Sequence, residues 1–381
     1  MALLRVLVVT SHLIPRQNSV WDAAADLVDE LHLAGSLVSD DTGGGRPATG
    51  IAERATTHVF TPRDLTGRGP LWWVYPGLGT LIRELRPDVV HVHSEAWSLL
   101  SLQALRSGRP TVLHGADNRF VHGNPLEAAI RRRIARSALR RAAGYASWNT
   151  KGVELARSHG LRPSCPTTVA PAGVSWPLEV TAEDAADLRA FWRAKPKVVA
   201  FAGRLVADKG LDWLFSALSG LGRDDVTVVI AGDGPARAQL EAQAASLGLD
   251  VRFLGGLPEE GAVRVLAAAD LVVLPSRTTR QTLEQFGRAA SEAMSAGTPL
   301  IVSDSGALPE VVGSAGIVVP EDDVAALATA IATVLDDPAA ARALAGQGRA
   351  RYDELHRPDR VAARLTTLWE SVSAPSGILD P

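Results

Sequence analysis

Short apolar, β-branched runs recur along the chain, separated by stretches whose apolar positions fall three and four apart, and the two patterns alternate from end to end. LRVLVVTS (residues 4–11) is apolar on both faces and predicts a buried parallel strand. Trp21 to Leu33 predicts a helix ending at Gly35, Thr57 to Phe60 a short strand, and Gly43 to Gly50 a loop. DVVHVHS (Asp88–Ser94), PTVLHG (Pro110–Gly115) and GYASWNT (Gly144–Thr150) continue the series, each after a helix-compatible segment. A second block is more regular. KVVAFAGR, VTVVIAGDG, VRFLGG, LVVLPSR, PLIVSD and GIVVP are six such runs with helical patterns between them. The polar, irregular stretch from Ala172 to Lys197 predicts a linker between the blocks.

Strands alternating with helices define an α/β protein with two doubly wound parallel sheets, expected to face each other across a cleft. The predicted domains are 1–175 and 176–358. Asp359 to Ser373 has helical spacing, so 359–381 is expected to hold a terminal helix that packs back on the first domain. Ligands in these folds sit beyond the carboxyl ends of the strands, which directs attention to the loops there.

Composition narrows the classes. The chain has 381 residues, 46% hydrophobic and 21% charged, which suits two soluble domains and excludes disorder. A net charge of -3 supplies no global field for nucleic acid, so any anion site must be built locally. Cys165 is the single cysteine; no internal disulfide can form, no paired Cys/His spacing marks a zinc site, and a reducing cytoplasm is expected. Arg5 interrupts the first apolar run, which reads as a strand rather than a leader, and no apolar stretch nears the roughly 18 residues of a membrane span. Arg131, Arg132, Arg133, Arg136, Arg140 and Arg141 punctuate a helical stretch from Pro125 to Ala143. Without an aromatic anchor, this favours a solvated basic face over peripheral membrane contact.

Two clusters carry chemistry. KVVAFAGR ends in Gly203 and Arg204, and Lys209 follows before Leu211, Leu214 and Phe215. Two cations at a strand's carboxyl end can reach a diphosphate, Arg as a planar fork of donors and Lys as a point charge. Further on, seven residues separate Glu284 from Glu292 in LEQFGRAASEAMSAG. On one helix, eight steps would set them roughly 12 Å apart on nearly one face, a span that suits a nucleoside diphosphate sugar. Amides near Phe286 and Gly287 can stabilise phosphates as helix N-termini do. Trp72, Trp73 and Tyr75 form an aromatic cluster suited either to core packing or to stacking on an acceptor.

The ordered series FAGRLVADKG, IAGDGP, RFLGG, LPSRTTRQTLEQFG, SEAMSAGTPLI and GALPEVV, from about Val198 to Pro320, resembles glycosyltransferase family 4, the retaining enzymes of GT-B fold. The first block resembles that family's acceptor domain more loosely, through DVVHVHS, PTVLHG and PAGV. The resemblance implies that Arg204 and Lys209 bind the donor diphosphate, Glu292 the ribose and Glu284 the transferred sugar. It also implies that the Phe286–Gly287 amides face sugar and phosphate, and that His114 lies near the donor sugar. Two departures stand out. SHLIPRQNSVW has no glycine where the family carries a Gly-rich turn, and EQFG followed by Arg288 replaces EGFG and an apolar residue.

The expected activity is therefore transfer of a hexose from a nucleotide diphosphate, UDP by family frequency, to an acceptor hydroxyl. The resemblance implies retention, with the donor phosphate taking the acceptor proton. No Asp-x-Asp motif is present, and no metal or other cofactor is predicted, because Arg204, Lys209 and helix-start amides can neutralise the leaving diphosphate. A nucleotide-sugar epimerase and a non-catalytic nucleotide-sugar-binding subunit are the alternatives. Acceptor-dependent release of nucleotide separates transfer from both.

Overall fold

The computed structural model describes residues 4–13, 17–37, 52–67, 69–116, 125–174, 180–280 and 282–373. The Gly43–Gly50 loop and residues 14–16 of the glycine-free run lie outside them. The chain forms two units, Met1–Ser175 with Arg357–Pro381, and Trp176–His356.

The first unit begins with β1 (Arg5–His12), α1 (Asn18–Ala25) and β2 (Glu30–Ser36). The helix expected to run through Leu33 stops at Ala25, and residues 30–36 instead join β1 in parallel, with Arg5 opposite Glu30 and Val9 opposite Ala34. Sheet pairing overrides local spacing there because it buries Leu31, Leu33 and Ala34, while Arg5 Nε meets Glu30 Oε2 at 2.6 Å. β3 (Thr56–Val59), the small antiparallel pair β4 (Arg63–Asp64) and β5 (Trp73–Val74), and α2 (Leu78–Leu85) follow. Then come β6 (Val89–His93), α3 (Leu99–Leu105), β7 (Thr111–Gly115), α4 (Pro125–Arg141), β8 (Gly144–Ser147), α5 (Thr150–Ser158) and β9 (Thr167–Val169).

The main sheet has the order β3-β2-β1-β6-β7-β8-β9, with every pairing parallel. Strand alternation sends Leu7 and Val9 into one core layer with Tyr75, Leu78 and Leu139, and Val6 and Val8 into the other with Val20 and Trp21. Val361, Leu365 and Trp369 from the last helix complete that second layer.

The second unit opens with α6 (Ala182–Phe191), inside the stretch expected to be an irregular linker. A reciprocal cap explains it: Thr181 Oγ1 accepts from the Asp184 amide, while Asp184 Oδ2 accepts from the Thr181 amide at 2.9 Å. All six apolar runs are strands: β10 (Lys197–Ala202), β11 (Val226–Ala231), β12 (Val251–Gly255), β13 (Leu271–Leu274), β14 (Leu300–Ser303) and β15 (Ile317–Val319). Between and after them lie α7 (Leu211–Leu221), α8 (Arg237–Ser246), α9 (Glu259–Ala267), α10 (Arg288–Ala296), α11 (Leu308–Val312), α12 (Val324–Asp336) and α13 (Pro338–Arg351). The sheet order is β12-β11-β10-β13-β14-β15. The last helix, α14 (Pro358–Ser373), packs on α1, β8 and β9 and belongs to the first unit. The architecture is thus two parallel Rossmann-like sheets.

Candidate functional site

Strand order reverses once in each sheet, between β1 and β6 in the first unit and between β10 and β13 in the second. Loops diverge at such a point and leave a crevice at the strands' carboxyl ends. In the second unit, Gly203 and Arg204 leave β10 on one side, and the segment from Pro275 to Gly287 leaves β13 on the other. Arg204 is exposed, and its side chain makes no hydrogen bond or ion pair among the described residues. Lys209 ends the 3-10 turn Ala207–Lys209. Gly210 then has φ 68°, and a Cβ there would lie 1.9 Å from the Pro275 carbonyl oxygen, so only glycine lets the two loops close up. Trp213 Nε1 donates to that same carbonyl at 2.7 Å and holds the approach.

This closeness brings two expected site residues together. Lys209 Nζ lies 2.5 Å from Glu284 Oε2, which also accepts from Ser276 Oγ at 3.2 Å. The Glu284 backbone carbonyl accepts from the Ala307 amide at 2.9 Å, and a Cβ on Gly306 would fall 2.0 Å from it. Glu284 is therefore fixed by side chain and main chain at once. Ser276, Gly306 and Ala307 went unassigned in the sequence because each acts through Glu284.

One geometric premise is corrected. Glu284 and Glu292 do not share a helix, because α10 starts at Arg288 and Gly287, its N-cap, has a left-handed φ of 78°. Local spacing misleads here: Phe286 is buried against His356, 5.6 Å between ring centroids, and this anchors a turn ahead of the helix. Glu284 thus sits in the loop, while Glu292 lies in the second turn of α10. The helix has no side-chain cap, and of its first amides Ala290 donates to the Gly287 carbonyl at 2.9 Å. Glu292 is buried, and Arg288 Nη2 lies 3.3 Å from its Oε1 while also pairing with Glu259. Arg288, the departure from the family pattern, is thus a cation shared by two carboxylates.

In the first unit the aromatic trio separates. Tyr75 is fully buried, stacked on Phe60 with centroids 5.2 Å apart, and its phenol oxygen lies 2.9 and 2.7 Å from the carbonyls of Thr10 and Ser11. Trp72 and Trp73 are half-buried, and Trp73 Nε1 donates to Asp64 Oδ2 at 3.3 Å. That carboxylate also accepts the Thr66, Gly67 and Gly69 amides, which hold its pKa down to about 2.

His114 is enclosed. An indole N–H can only donate, so Trp369 Nε1, 3.0 Å from His91 Nδ1, places the His91 proton on Nε2. His91 Nε2 then donates to His114 Nδ1 at 3.2 Å, and His114 Nε2 donates to the Ala170 carbonyl at 3.0 Å. The chain fixes both tautomers and occupies all four ring nitrogens. Burial, reinforced by the neighbouring histidines, keeps His91 and His114 well below the usual histidine range. The structure therefore leaves His114 no free ring nitrogen for the donor sugar. His93, at the last β1–β6 register position opposite Thr10, differs. Its ring is 4.7 Å from His114 and 5.7 Å from Trp21, centroid to centroid, and neither nitrogen has a hydrogen-bond partner among the described residues. Burial lowers it to about 4.

Among the described residues, no group of three or more His, Cys, Asp or Glu side chains is placed to hold a metal ion. No single helix is long and apolar enough to cross a membrane.

Two parallel Rossmann-like sheets, each with a reversal of strand order, are the architecture of the GT-B class. Residues 185–351 match the family described as glycosyl transferases group 1, and residues 17–173 match the glycosyl transferase 4-like domain. The chain belongs to this group 1, family 4 type of glycosyltransferases and is a sugar-transferring enzyme, which displaces the epimerase alternative. It is 28% identical over 380 residues, 96% of each chain, to a GDP-mannose-dependent alpha-(1-6)-phosphatidylinositol dimannoside mannosyltransferase of Mycobacterium tuberculosis. A 2-deoxystreptamine glucosyltransferase of Streptomyces kanamyceticus is 31% identical over 68% of this chain and 70% of its own. A Corynebacterium glutamicum mannosyltransferase acting on a phosphatidylinositol monomannoside is 35% identical over 179 residues, and there the chain spans about half of that relative's length, 47%. Among solved structures, Anabaena HepE in complex with UDP superposes with a TM-score of 0.75 at 20% identity, over 96% of this chain and 100% of that one.

Proposed function

We propose that the protein is a retaining mannosyltransferase that uses GDP-mannose to glycosylate a hydroxyl of a lipid-linked glycan of the phosphatidylinositol mannoside class. The observation that carries this reading is the match along 96% of both chains to the M. tuberculosis enzyme. GDP-mannose, named for three relatives matched along different lengths, takes the place of the UDP-hexose expected from the sequence. An α-linked product from an α-linked donor is net retention, in keeping with the printed linkage of those relatives.

The chemistry asked of the site is stabilisation of a departing diphosphate. Arg204 and Lys209 with the first amides of α10 neutralise the developing charge, Glu292 receives ribose hydroxyls, and Glu284 meets the sugar. The Lys209–Glu284 pair has a consequence: Lys209 must divide its charge between Glu284 and phosphate, so Arg204 supplies the uncommitted cation. These groups make the transfer independent of metal. A lipid-linked acceptor fits α4, where Leu126 and Ile130 are 72% and 43% exposed beside exposed Arg132, Arg133, Arg136 and Arg140. Apolar tips inserted among basic residues suit an anionic bilayer surface.

The test is transfer from radiolabelled GDP-mannose to phosphatidylinositol mannosides in anionic vesicles, with EDTA present throughout. Lipid-soluble label that depends on acceptor, resists EDTA and is cleaved by an α-mannosidase is expected. Turnover with UDP-glucose and none with GDP-mannose would overturn the donor assignment, and full loss with EDTA would overturn metal independence.

A further inference from the structure

A site that receives phosphates has to keep its own carboxylates off its cations. Lys209 has two such neighbours in the chain, Asp208 directly before it and Asp212 three residues on, in the first turn of α7. The segment after β13 engages them from the other side. Arg277 Nη1 donates to Asp212 Oδ1 at 2.6 Å and Arg277 Nη2 to Asp212 Oδ2 at 2.9 Å, the two-pronged geometry in which a guanidinium binds a carboxylate most strongly. Arg277 is itself tied down, because its Nε is paired with Asp322 and its amide donates to the Asp208 carbonyl at 2.7 Å. Next to it, the Thr278 amide and hydroxyl donate to the two oxygens of Glu321 at 2.7 and 2.6 Å. With the guanidinium side chain 22% and the Asp212 side chain 42% exposed, water does not fully screen either charge, so the pairing decides what Lys209 feels.

We infer that Arg277 is a positioning residue for the donor diphosphate: it engages the Asp212 carboxylate so that Lys209 keeps its charge for Glu284 and phosphate. All of these groups lie within the second unit. Without Arg277, Asp212 is an unbalanced anion three residues from Lys209. The ammonium, a point charge on a flexible stem, then divides among Glu284, Asp212 and phosphate. The effect is directional. Lys209 Nζ lies 2.5 Å from Glu284, the residue that meets the sugar, so it faces the phosphate nearest to the sugar. That is the phosphate a nucleoside monophosphate lacks. The ligand class is thus a nucleoside diphosphate, and the part of it that depends on Arg277 is the second phosphate.

This inference rests on the donor reading of Lys209 and Glu284, and its test is separable from that reading. Calorimetric titrations of GDP and GMP, with UDP and UMP alongside and EDTA present, compare the wild type with Arg277→Gln; the pair that the wild type binds more tightly is scored. R277Q is expected to weaken the diphosphate about tenfold, the contribution of one charged hydrogen bond, and the monophosphate by less than about twofold. Asp212→Asn added to R277Q should recover about threefold of that loss, because the anion that Arg277 engages is then gone. Equal weakening of diphosphate and monophosphate, the outcome of a merely structural role, overturns the inference. So does folded R277Q with wild-type affinity, or a double variant no tighter than R277Q. Should R277Q fail to fold by circular dichroism, Arg277→Lys decides. One ammonium cannot grip Asp212 by two prongs and also reach Asp322, so R277K must weaken the diphosphate about threefold more than the monophosphate, and no such difference overturns the inference. A wild type that binds neither diphosphate more tightly than its monophosphate sinks the donor reading itself, and the inference with it.

Discussion

Acidification should destabilise the first unit well before its carboxylates protonate. His91, His93 and His114 are all held below the ordinary histidine range, chiefly by burial, and His93 to about 4. In the unfolded chain each returns to a pKa of about 6.5. A depressed folded pKa means that the unfolded state binds more protons, so stability is fully present above pH 6.5 and falls as pH drops below it. At pH 5.5 each site costs about 1.4 kcal/mol, from RT ln 11, and the three together about 4 kcal/mol, a large share of an ordinary domain's stability. His58, also lowered by burial, acts in the same direction. Asp64, Asp184 and Asp250, whose pKa values are lowered, lose their contribution only near and below pH 4, outside this window. The assay is urea denaturation followed by hydrogen exchange of the β1, β6 and β7 peptides at pH 7.5, 6.5 and 5.5, which isolates this unit from the other. A midpoint that stays level between pH 7.5 and 5.5, or native His91 and His114 rings that titrate near 6.5 by NMR, would refute the reasoning.

Trp369→Phe should destabilise the first unit by about 1–3 kcal/mol, because His91 Nδ1 becomes a buried acceptor without its donor; the urea midpoint reads it. Arg204→Ala should cut kcat more than Lys209→Ala, since Lys209 shares its charge with Glu284; steady-state kinetics at saturating GDP-mannose compare them, and the reverse order contradicts that division. Gly306→Ala should reduce activity by more than tenfold in a folded protein, because its Cβ would meet the Glu284 carbonyl at 2.0 Å and push that residue aside; circular dichroism and turnover together check it. Arg288→Met should raise KM for GDP-mannose severalfold with kcat little changed, through a Glu292 carboxylate no longer held by its cation.

What sequence could and could not convey follows from the range of the interactions. Six second-unit strands were legible because their runs are apolar and β-branched, and the placement of Arg204 and Lys209 beyond the carboxyl end of β10 because strand ends are local features. Residues 30–33 misread as helix because only pairing with β1 makes them part of a strand. Glu284 and Glu292 misread as one helical face because the left-handed Gly287 and buried Phe286 that separate turn from helix act through tertiary contacts. The contrast between His114 and His93 was invisible for the same reason: the indole that sets the tautomers lies 278 residues away in the chain from His91. α6 alone had a local signal, the Thr181–Asp184 cap, set within an otherwise irregular stretch.

The return of α14 to the first sheet also sets a schedule for synthesis. The sheet face bearing Val6, Val8, Leu33, Val89 and Val112 stays without Val361, Leu365 and Trp369 until the final helix leaves the ribosome. Between residue 175 and residue 369 the ribosome adds about 190 residues, which at roughly 5–20 residues per second leaves that apolar face uncovered for about 10–40 s. The second unit, contiguous in sequence, can fold in the meantime. All residues of the second unit are thus synthesised before the second core layer of the first can be completed.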